Sequence, residues 1–179
     1  DRARVDHLEK DRGAPAHPRI GPAAPREAAR QSLDQERQAI ALVAGVEAAC
    51  DVVIDTGLQA SIDMHRRAAR ATRAGVEAMG LRLWARDASY AASCVTAVAA
   101  PDGVDVLAAL AHIRERYGVM LSPGYGELKE RLFRLGHMGP AAASLTPVLA
   151  LAALGRGLAD LGLEVTIGEG VDAALRELA

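Results

Sequence analysis

After residue 57 the hydrophobic period of this chain switches repeatedly between helical and strand-like, and the strand-like pieces are short. They read LRLWA (81–85), SCVTAVAAP (93–101), VML (119–121) and RLFRL (131–135), none longer than nine residues. Strands this short build only a small sheet, and the helical segments between them have to cover it. The order is helix, helix, strand, strand, helix, strand, strand, helix, with hairpin-like spacing between strands. It predicts an α+β fold in which a small, mostly antiparallel sheet is covered by helices, after a helical N-terminal lead-in.

The helical segments have legible ends. Residues 1–25 hold Pro15, Pro18, Pro22 and Pro25 with Gly13 and Gly21 between them, a spacing that predicts loop. From Arg26 to about Ala49 apolar residues recur at three- and four-residue steps. The second half of this region, AIALVAGVEAACDVVIDTG, is nearly all apolar and is expected inside; Gly57 ends it or kinks it. A second helix runs from about Leu58 to Met79. Ile62, Ala68, Ala71 and Val76 fall on one side, Arg66, Arg67, Arg70 and Arg73 largely on the other, and Gly80 is a C-terminal stop. VDVLAALAHIRERYG (104–118) is amphipathic and closes at Gly118. PAAASLTPVLALAALGRGLADLG (140–162) reads as one long helix, with Pro140 in its first turn and Pro147 kinking it or delaying its start. VDAALREL (171–178) is the terminal helix. Residues 1–39 are a polar lead-in and 40–179 one domain.

Composition narrows the function. The 21 basic and 23 acidic residues nearly cancel, which leaves no electrostatic footprint for nucleic acid and no polybasic membrane patch. Half the residues are apolar but only 3 % are aromatic, so alanine-rich helices with small, close packing surfaces are expected. Lys10 and Lys129 are the only lysines, so amine chemistry has two candidates. Cys50 and Cys94 lack metal-ligand spacing and read as buried, reduced thiols of a cytoplasmic protein. No apolar run is long enough to span a bilayer. The five histidines are scattered; His65 and His112 lie on helices, where solvent-facing or capping roles outweigh metal binding. No self-contained reaction centre of a known motif occurs.

One residue stands out. In RLFRLGHMGP (131–140) strand alternation puts Phe133 and Leu135 on one side and Leu132 and Arg134 on the other, so a permanent charge sits inside an apolar segment. A guanidinium there offers paired N–H donors to a carboxylate; the alternative is an edge arginine with its head in water. Gly136 and Gly139 permit close backbone approach or positive φ at a pocket rim. Gly124 and Gly126 in SPGYG mark either a mobile loop over the same pocket or a plain turn. Lys129 and Arg131 lie near enough in sequence to serve a second anionic group, although alternation sends Arg131 to the opposite face.

The succession MHRRAARATRAGVEAMGLRLWA, SCVTAVAAPDGVD, IRERYGVML, LFRLGHMG and LAALGRGLADLG resembles the C-terminal domain of class V aminotransferases. The likeness is to the alanine–glyoxylate and serine–glyoxylate group, which includes pyridoxamine–pyruvate aminotransferases, and runs from about Ile40 to Leu178. It implies a fold-type I, pyridoxal 5'-phosphate-dependent transaminase that works as a homodimer on a small amino acid and a 2-oxo acid. It also implies that Arg134 binds the substrate's α-carboxylate. The family's Schiff-base lysine has one match, Lys10, followed by Gly13, Ala14 and Pro15 in matching places but by His17 where glycine is wanted. Residues 16–39 resemble no part of the family. The chain thus reads as a C-terminal portion, incomplete for catalysis, or alternatively as a non-catalytic dimerisation or carboxylate-binding module derived from the same fold.

Overall fold

The computed structural model describes residues 25–179, and the chain divides between Asp51 and Val52 into two units. Helix α1 (Pro25–Thr56) runs from the first into the second, and Lys10 and His17 lie outside the described residues. The apolar residues expected inside are not. Ile40, Leu42 and Val43 are each about two-thirds exposed, and Cys50 is exposed too. Apolar periodicity marks a face suited to burial without saying what buries it, and no described residue covers this one.

The second unit holds the sheet. Gly57, at φ 84, breaks α1 from α2 (Leu58–Ala78). Then follow β1 (Val95–Ala99), α3 (Val106–Tyr117), β2 (Ser122–Pro123), β3 (Leu132–Gly136), α4 (Thr146–Asp160) and α5 (Ile167–Leu178). The three strands are antiparallel in the order β1-β3-β2, so β3 is central; Ala97 pairs with Arg134 on one side and Ser122 with Arg134 on the other. The expected α+β class with a small antiparallel sheet is what forms. Its core gathers Phe133 and Leu135 of β3, Val98 of β1, Ile113 of α3, and Leu151, Leu154 and Leu158 of α4. The Asp105 carboxylate accepts the Leu107 and Ala108 N–H groups and so starts α3.

Three expected segments differ. LRLWA makes only an isolated bridge, Leu83 to Val98, before the chain bends away. VML is no strand: Val119 and Leu121 pack against the core without ladder partners, so burial rather than pairing made them apolar. The strand that does form comes just after and is two residues long; it lies at the sheet edge, where the missing proline N–H faces away from β3. The 140–162 helix is delayed by Pro147, one of the two outcomes expected, with a 3-10 turn at Gly139–Ala142 before α4. Cys94 is half-buried rather than buried.

A polar cluster ties α3 to α4. The Asp160 carboxylate accepts from the Tyr117 hydroxyl, contacts His112 Nε2 at 3.0 Å and pairs with Arg156 at 2.8 Å. The Tyr117 hydrogen bond first, then those from His112 and Arg156, hold its pKa at about 2, below the ordinary 3.8. A depressed carboxyl stabilises the fold above its unfolded pKa and loses that contribution as pH falls through the folded value. Asp160→Asn is therefore expected to be less stable than the native chain at neutral pH, with the gap closing between about pH 4 and pH 2. Thermal melts across that range check it.

Candidate functional site

Arg134 sits in the middle of the central strand, between cross-strand neighbours on both sides. It is half-buried, and its Nε donates to the Pro123 carbonyl at 2.7 Å. The aromatic ring of Tyr125 lies over the guanidinium, 4.1 Å from its centre. Among the described residues no carboxylate pairs with it within 4.0 Å. A half-buried cation satisfied by one carbonyl and one ring, with its outer N–H groups unassigned, is suited to bind an anion. The carbonyl holds its Nε and the ring covers one face, while its terminal nitrogens have no hydrogen-bond partner among the described residues.

SPGYG is a hydrogen-bonded turn rather than an open loop. Gly124 N–H bonds to the Leu132 carbonyl at 3.2 Å, and a 3-10 turn follows at Gly126–Leu128. A Cβ on Gly124 would meet the Leu128 carbonyl oxygen at 2.2 Å, and Gly126 holds φ +54. Both glycines are thus required by geometry, and Tyr125 is fixed between them. Sequence reasoning passed over Tyr125; the signal was a lone aromatic flanked by two glycines, eight residues upstream of the Phe-Arg pair. At Gly136 a Cβ would meet no other described residue within 4 Å and φ is not positive, so nothing within the described chain requires glycine there. Arg131 lies outside β3, so strand alternation does not govern it; its guanidinium stacks on Trp84 at 5.4 Å.

The segment after β3 is held by two histidines. His65 Nδ1 donates to the Ser61 carbonyl at 2.7 Å, which leaves Nε2 to accept the Gly139 N–H at 2.9 Å. His65 lies mid-helix, so it caps neither end of α2; it ties that helix to the segment after β3. His137 is 1 % exposed, with Nε2 3.0 Å from the Thr96 hydroxyl and no protein partner at Nδ1. Burial chiefly, and the nearby Arg73 charge, push its pKa below the ordinary value, so the ring is neutral.

A cavity of about 980 Å³ borders β1 and includes Arg82, Trp84, Arg86 and Ala97 in its lining. Ala97 is the cross-strand partner of Arg134, although Arg134, Gly124, Gly126 and Gly136 do not line the cavity themselves. Pyridoxal phosphate needs a lysine for its Schiff base. The one lysine among the described residues, Lys129, is exposed on a turn and lines neither this cavity nor a smaller one beside α2. The described residues therefore do not fit the cofactor by themselves. They also contain no cluster of three or more His, Cys, Asp or Glu suited to a metal, and no helix long and apolar enough to cross a membrane.

Through its C-terminal portion the chain belongs to a class of proteins of known chemistry, the aminotransferases. The pyridoxamine–pyruvate transaminase of Mesorhizobium japonicum is 44 % identical over 131 residues, which cover 73 % of this chain and 33 % of that protein. The L-aspartate–glyoxylate aminotransferase of Paracoccus denitrificans is 34 % identical over 138 residues, covering 75 % and 34 %. The crystal structure of pyridoxamine-pyruvate aminotransferase from Mesorhizobium loti superposes with a TM-score of 0.73 at 43 % identity, over 75 % of this chain and 34 % of that one. The chain thus spans about a third of the length of the curated relatives it matches. No family model matches it.

Proposed function

We propose that this chain is the carboxylate-binding part of a pyridoxal phosphate-dependent transaminase of the pyridoxamine–pyruvate or alanine/serine–glyoxylate type, passing an amino group to a small 2-oxo acid. Arg134 is the clamp: its outer N–H groups grip the α-carboxylate of the amino or 2-oxo acid, and Gly124 and Gly126 shape the rim beside it. The observation that supports this reading is a half-buried guanidinium on the central strand without a carboxylate partner among the described residues. The cofactor, its lysine and the second subunit of a homodimer belong to the complete enzyme, and Lys10 is the one lysine here whose flanking residues resemble that motif. Cytoplasmic location accords with the same class.

Titration of the 179-residue chain with pyruvate and glyoxylate tests the clamp. Saturable binding at micromolar or weaker affinity is expected, and Arg134→Ala is expected to weaken it by about tenfold or more, the scale of a hydrogen bond to a charged group. Equal binding by the variant, or none by the native chain, removes the proposal.

A second reading, a non-catalytic carboxylate-binding or dimerisation module, is favoured by the exposed turn position of Lys129, the one lysine among the described residues. Adding pyridoxal phosphate separates the two. An absorbance band of lysine-bound cofactor, present in the native chain and lost in Lys10→Ala, would exclude the module.

A further inference from the structure

The turn that carries Tyr125 is built too tightly to be a passive connection. Tyr125 is 76 % exposed, so its ring is not placed by burial in the core. It is placed by its neighbours. Gly124 packs its backbone against the Leu128 carbonyl, where any Cβ would collide at 2.2 Å, and Gly126 turns the chain with a left-handed φ. Three hydrogen bonds then close the turn: Leu128 N–H to Tyr125, Lys129 N–H to Gly126 and Arg131 N–H to Leu128 carbonyls, at 3.0, 3.1 and 3.0 Å. What this construction delivers is an aromatic face 4.1 Å from the centre of the Arg134 guanidinium.

From this we infer that Tyr125 is a positioning residue for Arg134, presenting it to the carboxylate of a small organic acid in one orientation only. Arginine has five donors and a long side chain with many rotamers. Here Nε is committed to the Pro123 carbonyl at 2.7 Å, which excludes side-on pairing through Nε. The Tyr125 ring covers one face of the guanidinium plane and limits its rotation. The two terminal nitrogens remain available to receive both oxygens of a carboxylate end-on. The ring also keeps water from one side of that ion pair, which strengthens it. The inference rests on Arg134 being the carboxylate clamp, and it adds a residue that the clamp depends on.

The test uses the full 179-residue chain labelled with ¹⁵N, with pyruvate as the probe. In the native chain the Arg134 Nε–H resonance is expected to be sharp and protected from exchange, and to keep its shift as pyruvate saturates, because that proton stays on the Pro123 carbonyl. Tyr125→Ala is expected to weaken pyruvate binding by about three- to fivefold, as loss of one exposed cation–π contact implies, and to speed exchange at Arg134 Nε–H. Tyr125→Phe keeps the ring and is expected to restore both readouts. Because Tyr125 is largely exposed, its removal leaves the core intact, and an unchanged melting transition verifies that. If Tyr125→Ala binds pyruvate as the native chain does while Arg134→Ala does not, the clamp stands and the role of Tyr125 falls. The same follows if Tyr125→Phe behaves like the alanine variant. If the native chain and Arg134→Ala fail alike to bind, the clamp reading falls and takes this role with it.

Discussion

Replacing Phe133 with alanine is expected to lower the unfolding free energy by about 3–5 kcal/mol, a large share of the roughly 5–15 kcal/mol that holds a domain together. Phe133 is the only phenylalanine in the chain and is fully buried. It stands opposite Val98 on one side of the central strand and Pro123 on the other. The rest of the buried core is aliphatic, with Met79 and Ile113 its next largest side chains and no second aromatic ring to take the place of this one, so a cavity is expected to persist. Urea unfolding checks this: the midpoint is expected to fall sharply at unchanged slope. Phe133→Leu, which keeps most of the volume, is expected to lose under about 1.5 kcal/mol. If both variants shift the midpoint equally, cavity formation is not the cause. Arg134, the next residue, points to the other face of the strand, so pyruvate binding by the folded fraction of either variant is expected to survive.

The same alternation made the central strand legible in advance. A charge at one position of RLFRL, between residues suited to burial, identified both the strand and its exceptional side chain, because period-two patterning is local information. Helix ends were also legible at Gly57, Gly80 and Gly118, where the required backbone is encoded in one residue. Pairing was not. VML and LRLWA carry the apolar character of strands, yet Val119, Leu121 and Leu81 pack as irregular segments against the core. Whether such a segment forms a ladder depends on what lies beside it, and for VML the answer came one step later, at Ser122 and Pro123. The stack of Tyr125 on Arg134 was hidden for a related reason. It joins residues nine apart through a turn whose shape is dictated by the Leu128 carbonyl, and nothing in the residue types alone gives that distance. The apolar half of α1 shows the opposite case, a pattern easily read whose covering surface is not among the described residues.

The low aromatic content finds its structural counterpart where α2 meets α5. These helices touch through Gly75 and Gly170, with backbone against backbone. A Cβ on Gly75 would lie 2.9 Å from the Gly170 carbonyl oxygen and 2.3 Å from Leu151 Cδ1; one on Gly170 would lie 2.8 Å from the Gly75 carbonyl oxygen and 2.1 Å from Met79 Cγ. Leu151 and Met79 can rotate, although both are fully buried in a close-packed interior, but the facing carbonyls cannot yield without moving a helix. In an exposed helix alanine is favoured over glycine by about 1 kcal/mol, which sets the sign of the ordinary expectation. Here overpacking outweighs it, and Gly75→Ala and Gly170→Ala are each expected to destabilise by about 1–3 kcal/mol. The two losses should not add. Once one methyl has pushed α5 off α2, the second enters space already opened, so the double variant is expected to cost less than the sum by about 0.5–3 kcal/mol. A double-mutant cycle by urea unfolding measures that coupling. Strict additivity would mean that each methyl is accommodated by its own side-chain neighbour, Leu151 or Met79, and that the helices never move apart.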